Sequence, residues 1–216
     1  RLPVEGPGVA ATRDFAAFLR HATQDSLGTA NPVAGQFHRT LVVGYSQTAR
    51  VLKTMLVEGL TQADGRPVFD GMHIHASASG LANIFANGTG PESGTFFTPR
   101  FTHPEFRGVT EEPLTYAAIV ARVTTRGHTV PKLLVTNATT DYYSIRASLA
   151  RTSAQGTTDL PVPAQVRLYD IAGSSHGRAT QHTCDFPPGR LDAFPVMRAT
   201  LLNLDAWVRG AAEPPA

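Results

Sequence analysis

The stretch "LVVGYSQTAR", residues 41–50, decides the fold of this chain. An apolar run rises to Gly44, Ser46 follows two residues later, and the pattern then turns polar and helical. The apolar run predicts a buried strand, and apolar residues at 51, 52, 55, 56 and 60 predict a helix that starts at Ser46 and ends near Gly59. A serine at such a strand-to-helix turn has the form of a nucleophile elbow.

The residues on either side of Ser46 fit the steric demands of that turn. The turn strains the serine backbone, and side chains two positions before it and about three after it would collide, which the small residues Gly44 and Ala49 avoid. The helix would direct its first amides at the reacting centre, so we expect the backbone N–H of Gln47 to stabilise an oxyanion. Tyr45, beside the serine, should shape the pocket wall. The alternative is an ordinary helix start with Ser46 as its N-cap.

Composition argues against several other classes of function. Hydrophobic residues make up 42% and charged residues 17% of the 216 residues, enough apolar material for the core of a single domain over residues 1–216. The net charge of +2 and the lack of a Lys/Arg run argue against a nucleic-acid partner. No apolar stretch approaches the roughly 18 residues that span a bilayer. The single cysteine, Cys184, excludes a disulfide within the chain and leaves the compartment open.

Strands and helices alternate along the chain at distances that suit right-handed crossovers. The predicted strands are 37–45, 68–79, 132–137 and 164–173, and the predicted helices are 9–22, 46–60, 114–127, 142–151 and 191–210. We therefore predict an α/β fold with an open, mostly parallel, doubly wound sheet and helices on both faces. Reactive groups in such a sheet follow the carboxyl ends of the strands.

A serine hydroxyl needs a base to take its proton, and the best-placed base is His176. It stands in "GSSHG", residues 173–177, between glycines and after the last predicted strand. His73 and His75 alternate on one strand face and could bind zinc, but no third ligand stands at a fixed spacing, so we expect no metal. The remaining histidines fall in loops or beside turns: His21, His38, His103, His128 and His182.

The histidine in turn needs an acid to hold its tautomer, and Asp141 is the first carboxylate after the strand that ends near Asn137. The alternative role for Asp141 is a helix N-cap. Three competing aspartates lie in a turn-rich loop, inside the last strand or at a bend: Asp159, Asp170 and Asp70. The chain order Ser46, Asp141, His176 is the order that α/β-hydrolases use.

With these residues in place, the chain resembles the α/β-hydrolase superfamily over nearly its whole length. More narrowly, it is similar to an alpha/beta hydrolase domain family whose elbow reads Gly-x-Ser-Gln-Ser/Thr-Gly/Ala-Arg, here "GYSQTAR". Further similar stretches follow in order: "GRPVFDG", "VPKLLVTNATTDYYS", "SLARTSAQGTTDLPVPAQVRLYDIAGSSHG", "CDFPP" and "RATLLNLDAWV". The family's acid stands in a Ser-x-Glu-Tyr-Trp-like segment, whereas this chain has Asp141 as the acid and Tyr143 in place of the tryptophan.

The resemblance implies an α/β-hydrolase fold with a small cap insertion at about residues 83–130. Five phenylalanines of that segment would line an acyl or aryl pocket or pack the cap itself: Phe85, Phe96, Phe97, Phe101 and Phe106. Such folds also carry several strands before the elbow strand, but only one predicted helix precedes it here. We therefore expect the N-terminal strands, and with them the second oxyanion donor, to belong to a missing half of the same fold.

The function that the resemblance implies is hydrolysis of small-molecule carboxylic esters, without a cofactor, through Ser46, His176 and Asp141. Two alternatives stay open at this point. One is a catalytically silent hydrolase fold that serves as a binding module. The other is an acyltransferase or an amidase that uses the same three residues.

Overall fold

The computed structural model describes residues 7–77, 79–81, 114–177 and 191–215. The helices within these ranges are α1 (Pro7–His21), α2 (Gln47–Glu58), α3 (Tyr116–Thr125), α4 (Thr139–Ser144) and α5 (Phe194–Val208), with a 3-10 turn at Ala147–Ala150. The strands are β1 (Leu41–Tyr45), β2 (Gln62–Ala63), β3 (Arg66–Pro67), β4 (Gly71–His75), β5 (Lys132–Ala138) and β6 (Val166–Ile171). Among the helices of the described ranges, none is long and apolar enough to cross a membrane.

The main sheet is parallel throughout its described strands, as the alternation of elements predicts. Its strand order is β1-β4-β5-β6, and β2 and β3 form a separate antiparallel pair. The register places Tyr45 opposite His75, His75 opposite Thr136, and Thr136 opposite Tyr169. Because all four strands run the same way, their carboxyl ends meet at one edge of the sheet.

Helices cover both faces of the sheet, which confirms the predicted doubly wound arrangement. On β5, Leu133 and Val135 join the larger core cluster with α2 and α3, whereas Leu134 joins a second cluster with Leu204 and Trp207 of α5. This division follows from the strand geometry, since successive side chains point to opposite faces. Burial on both faces explains why β5 reads as a continuous apolar run in the sequence.

Several element boundaries differ from the sequence-based expectation; the strand predicted at 68–79, for example, is limited to β4 at residues 71–75. The strand predicted from residue 37 begins only at Leu41, because residues 37–39 are exposed. The helix predicted at 142–151 is the shorter α4 followed by the 3-10 turn. The break comes at Arg146, whose backbone has a left-handed φ of 55° that a continuous helix cannot contain.

The predicted cap falls mostly outside the described residues. Residues 82–113, which carry the five phenylalanines, are not described, so the cap stays a prediction. Residues 116–125 of the same segment form α3, which connects β4 to β5 and packs against α2. Ile119 and Val123 are almost fully buried, so α3 belongs to the helix layer of the core.

The elbow turn is as tight as the small residues around it predict. A Cβ built on Gly44 would lie 2.7 Å from Ala49 Cα, 2.8 Å from Ala49 N and 2.8 Å from Leu52 Cδ1. Two of these atoms belong to the backbone of α2, so the clash cannot be relieved by a side-chain rotation. Any larger residue at position 44 must push α2 away from β1.

We predict that Gly44→Ala destabilises the protein by about 1–3 kcal/mol, the usual cost of overpacking a close contact. The matched control is Gly8→Ala in α1, where a Cβ would meet nothing within 4 Å. That change should be neutral or slightly stabilising, because alanine favours the helix. Chemical denaturation of both variants measures the difference. Equal stabilities would contradict the steric account of the elbow.

Candidate active site

Ser46 occupies a strained backbone conformation between β1 and α2. Its φ is 55° and its ψ is −116°, outside the regions that non-glycine residues prefer. Hydrogen bonds stabilise this turn. The Ser46 N–H donates to the His75 carbonyl at 2.9 Å. The Thr48 hydroxyl accepts the Tyr45 N–H and donates to the Tyr45 carbonyl, at 2.8 Å each. The Ser46 side chain makes no capping bond to α2. Ser46 thus stands at the N-cap position of α2 without the hydrogen bond by which a capping serine stabilises a helix.

The Ser46 hydroxyl turns away from its own helix and meets an imidazole. Its Oγ lies 2.8 Å from Nε2 of His176, which follows the carboxyl end of β6 in sequence. The other ring nitrogen of His176, Nδ1, lies 2.5 Å from Oδ1 of Asp141. Asp141 belongs to the first turn of α4, directly after β5. The structure thus brings together a hydroxyl, an imidazole and a carboxylate that follow three different strands.

Both oxygens of Asp141 are engaged in this arrangement. Oδ1 faces His176, and Oδ2 accepts the backbone N–H of Ala138 at 2.7 Å. The side chain has no exposed surface. The N-cap of α4 is Ala138, so the alternative role of Asp141 as N-cap is wrong. Asp141 lies at the third helical position, where Oδ2 accepts the Ala138 amide while Oδ1 contacts the imidazole.

The competing aspartates have partners elsewhere. Asp170 forms an ion pair with Arg151 at 2.7 Å. Asp70 forms an ion pair with Arg20 at 2.8 Å and accepts the backbone N–H of Thr40, which joins α1 to the start of β4. Asp159 pairs through its backbone with Thr152 in an isolated bridge. None of these bonds involves His176.

Residues 1–216 match the family model described as "Alpha/beta hydrolase domain". The chain belongs to this family. No curated protein and no solved structure shows a significant match to it. Membership of the alpha/beta hydrolase family indicates hydrolase activity in general, without naming the bond that is cleaved.

In this alpha/beta hydrolase, Tyr45 lies directly beside the candidate triad. Its ring stacks on His75 at a centroid distance of 5.1 Å and on Phe194 at 6.3 Å, and it lies 5.8 Å from the ring of His176. Burial raises the pKa of the Tyr45 hydroxyl, and the negative charge of Asp141 adds to the effect. The hydroxyl therefore stays protonated at neutral pH, and it donates to the backbone carbonyl of His176.

His73 and His75 form a buried polar cluster beneath the site. The Thr136 hydroxyl lies 2.7 Å from His75 Nδ1 and 3.2 Å from His73 Nε2. Burial lowers the pKa of both imidazoles to about 4, and the charge of the neighbouring histidine adds to the lowering at His73. Both rings are therefore neutral at pH 7. Within the described residues, no group of three or more His, Cys, Asp or Glu side chains could hold a metal ion.

Gln47 is the remaining residue of the predicted site. The backbone amide of Gln47 is the first of α2, which leaves it at the helix N-terminus as the elbow requires. Its function as an oxyanion donor stays a prediction, as does the role of Tyr45 in a pocket wall. His103, His182 and Cys184 lie outside the described residues.

Sequence reasoning missed two sets of polar residues, one buried in α2 and one beside the His176 loop. Arg50 and Lys53 of α2 are almost fully buried, and burial lowers the pKa of Lys53 to about 7. Their positions in a helix whose apolar residues fall on nearly every side could have indicated burial. The second set, Thr139 and Thr140, contacts the loop that carries His176. Their sequence signal is their place directly before the candidate acid.

The neutral histidine cluster predicts a pH dependence of stability. Both folded-state pKa values lie near 4, below the ordinary value of 6.5, so the unfolded chain binds more protons between these limits. The contribution of the neutral imidazoles to the free energy of unfolding is fully present above pH 6.5. It is lost as the pH drops toward 4, by roughly 3 kcal/mol for each imidazole.

We predict that His73→Asn reduces the slope of the free energy of unfolding against pH between pH 7 and pH 5, measured by chemical denaturation. The matched control is His38→Gln at an exposed position, which should keep the wild-type slope. The histidine account is wrong if His73→Asn and the control show the same slope.

Proposed function

We propose that this protein is a serine hydrolase that cleaves carboxylic esters through an acyl-enzyme on Ser46. The observation that carries the proposal is the continuous contact from Ser46 Oγ to His176 Nε2 at 2.8 Å and from His176 Nδ1 to Asp141 Oδ1 at 2.5 Å. A serine beside a base that is itself oriented by an acid is the arrangement that activates an alcohol for attack on a carbonyl.

Each residue of the triad has a defined task in this mechanism. Asp141 holds the proton of His176 on Nδ1, so that Nε2 presents its lone pair to the Ser46 hydroxyl. His176 takes the Ser46 proton as the oxygen attacks the ester carbonyl, and it then gives that proton to the departing alcohol. Water repeats the two steps, which releases the acid and restores Ser46.

The charge that develops on the carbonyl oxygen is stabilised by the start of α2. The oxygen of the tetrahedral intermediate would lie near the backbone N–H of Gln47, where the positive end of the helix dipole favours a negative charge. One oxyanion donor of this kind is worth about 10²–10³ in rate. The chemistry needs only side-chain and backbone groups of the protein, so the proposal includes no cofactor.

Burial of the acid supports this assignment. A fully buried carboxylate interacts strongly with the imidazolium that forms during the reaction, because few solvent molecules screen the pair. His176 retains about a third of its side-chain surface, which leaves the ring open toward a substrate. The protein thus combines a buried acid with an accessible base.

A fluorophosphonate probe tests the nucleophile. We predict that the wild-type protein is labelled on Ser46 and hydrolyses p-nitrophenyl esters, whereas Ser46→Ala loses labelling and at least about 10³-fold in rate. Ser153→Ala is the matched control, since this serine bonds Thr157 in a separate loop, and it should keep both activities. A wild-type protein that resists the probe and leaves all esters intact would favour a silent hydrolase fold.

A pair of aspartate variants tests the acid. We predict that Asp141→Asn lowers kcat for ester hydrolysis by about 10³–10⁴, because an amide cannot hold His176 in the required tautomer. Asp170→Asn removes the partner of Arg151 and should lower kcat by less than about tenfold. Steady-state kinetics on the same ester measure both. The reverse order of effects would assign the acid to Asp170 and contradict the proposed triad.

A further inference from the structure

His176 is held by its backbone as well as by its ring. Its backbone N–H donates to the Thr140 hydroxyl at 2.7 Å, and its backbone carbonyl accepts the hydroxyl proton of Tyr45. Its two ring nitrogens contact Ser46 and Asp141. Every polar group of the residue therefore has a partner, and both backbone partners are side-chain hydroxyls that lie outside the loop itself.

The start of the same loop is held in a similar way. The Thr139 hydroxyl accepts the backbone N–H of Gly173 at 2.8 Å and lies 3.3 Å from the carbonyl of Ile171, to which it donates. The loop leaves β6 through Gly173, whose φ of 74° allows a sharp change of direction. Beyond the end of β6, the Thr139 hydroxyl thus bonds the Gly173 amide, a backbone group that no longer belongs to the main sheet ladder.

The loop contacts from α4 come from three consecutive residues. Thr139 and Thr140 bind the backbone of the loop, and Asp141 binds the imidazole that the loop carries. All three belong to the first turn of α4, so the distance from the loop backbone to the carboxylate is set within one rigid turn. The Asp141 bond to the Ala138 amide ties that turn to the end of β5.

We propose that Thr140 and Tyr45 are positioning residues that fix the backbone of His176 so that its ring bridges Ser46 and Asp141. This inference rests on the proposed function, and it adds two residues to the machinery that act through His176. Thr140 holds the residue from the side of β5, and Tyr45 holds it from the side of β1. The imidazole is thereby located relative to the ends of both strands.

Catalysis requires precise placement of the His176 imidazole, so the two hydrogen bonds to its backbone matter. A displacement of about 1 Å at a catalytic group can cost about 10²-fold in rate. Thr140 is exposed, so water can satisfy the His176 amide when the hydroxyl is removed. Removal of the hydroxyl should therefore cost little stability, while the His176 backbone loses its hydrogen bond to α4. This separation distinguishes a positioning residue from one that only stabilises the fold.

The first test compares Thr140→Val with Thr140→Ser. Valine keeps the shape of the side chain but cannot accept the amide proton, so we expect kcat for a p-nitrophenyl ester to fall about 10-fold or more with KM within about twofold. Serine keeps the hydroxyl and should restore kcat to within about threefold of wild type. Thr124→Val, an exposed threonine on α3 that bonds its own helix, is the matched control and should leave kcat unchanged.

The second test uses Tyr45→Phe. Phenylalanine keeps the stacking against His75 and Phe194 but cannot donate to the His176 carbonyl. We expect a similar fall in kcat at unchanged KM. In proton NMR spectra, the strongly deshielded proton between His176 and Asp141 should broaden or shift in Thr140→Val and in Tyr45→Phe, and should stay as in wild type in Thr140→Ser.

The outcomes separate this inference from the proposed function. The proposed function fails if the wild-type protein is not labelled by the fluorophosphonate probe. The present inference fails if the wild type is labelled but Thr140→Val and Tyr45→Phe react with the probe at the wild-type rate and keep the wild-type proton signal. It also fails if the losses follow a drop in thermal stability and serine does not rescue them.

Discussion

The approach of α2 to Gly44 is the constraint on which the candidate site depends. Because glycine has no side chain, the Ala49 backbone comes within 2.7 Å of where a Cβ would stand. This closeness forces the turn at Ser46 into a left-handed φ and points its hydroxyl away from the helix. The same turn leaves the first amide of α2 beside the hydroxyl. One steric condition therefore sets both the nucleophile and its oxyanion donor in the proposed mechanism.

The parallel sheet supplies the second condition. Ser46 and His176, 130 positions apart, and His176 and Asp141, 35 positions apart, meet because β1, β5 and β6 end at the same edge. Asp141 is placed by the first turn after β5, and His176 is placed by the loop after β6. The interior strand β4 adds no member to the candidate triad, but the carbonyl of His75 accepts the backbone N–H of Ser46. The sheet thus fixes the strand ends, and short connections fix the side chains.

The two histidines of β4 beneath the candidate triad are polar but uncharged at neutral pH. His73 and His75 share the hydroxyl of Thr136, and His75 stacks on Tyr45. Burial keeps both imidazoles neutral, so they place no positive charge next to His176. This arrangement explains how the sheet accommodates three histidines near one carboxylate. In the proposed mechanism, the positive charge that faces Asp141 is then the imidazolium of His176.

The sequence by itself determined the parallel α/β fold, the elbow at Ser46 and the family. These follow from local patterns: apolar runs for buried strands, helical spacing after the serine, and small residues where the backbone must pass closely. It also singled out His176 and Asp141, because the fold predicts a base and an acid after particular strands. The sequence did not indicate the break of the helix at Arg146, since an arginine carries no local signal for the left-handed backbone that it adopts there. Only the tertiary structure decided that Thr140 and Tyr45 bind the backbone of His176, and that the histidine pair of β4 is neutral and buried. Those contacts join residues more than 30 positions apart through single hydroxyls, and no local periodicity records them.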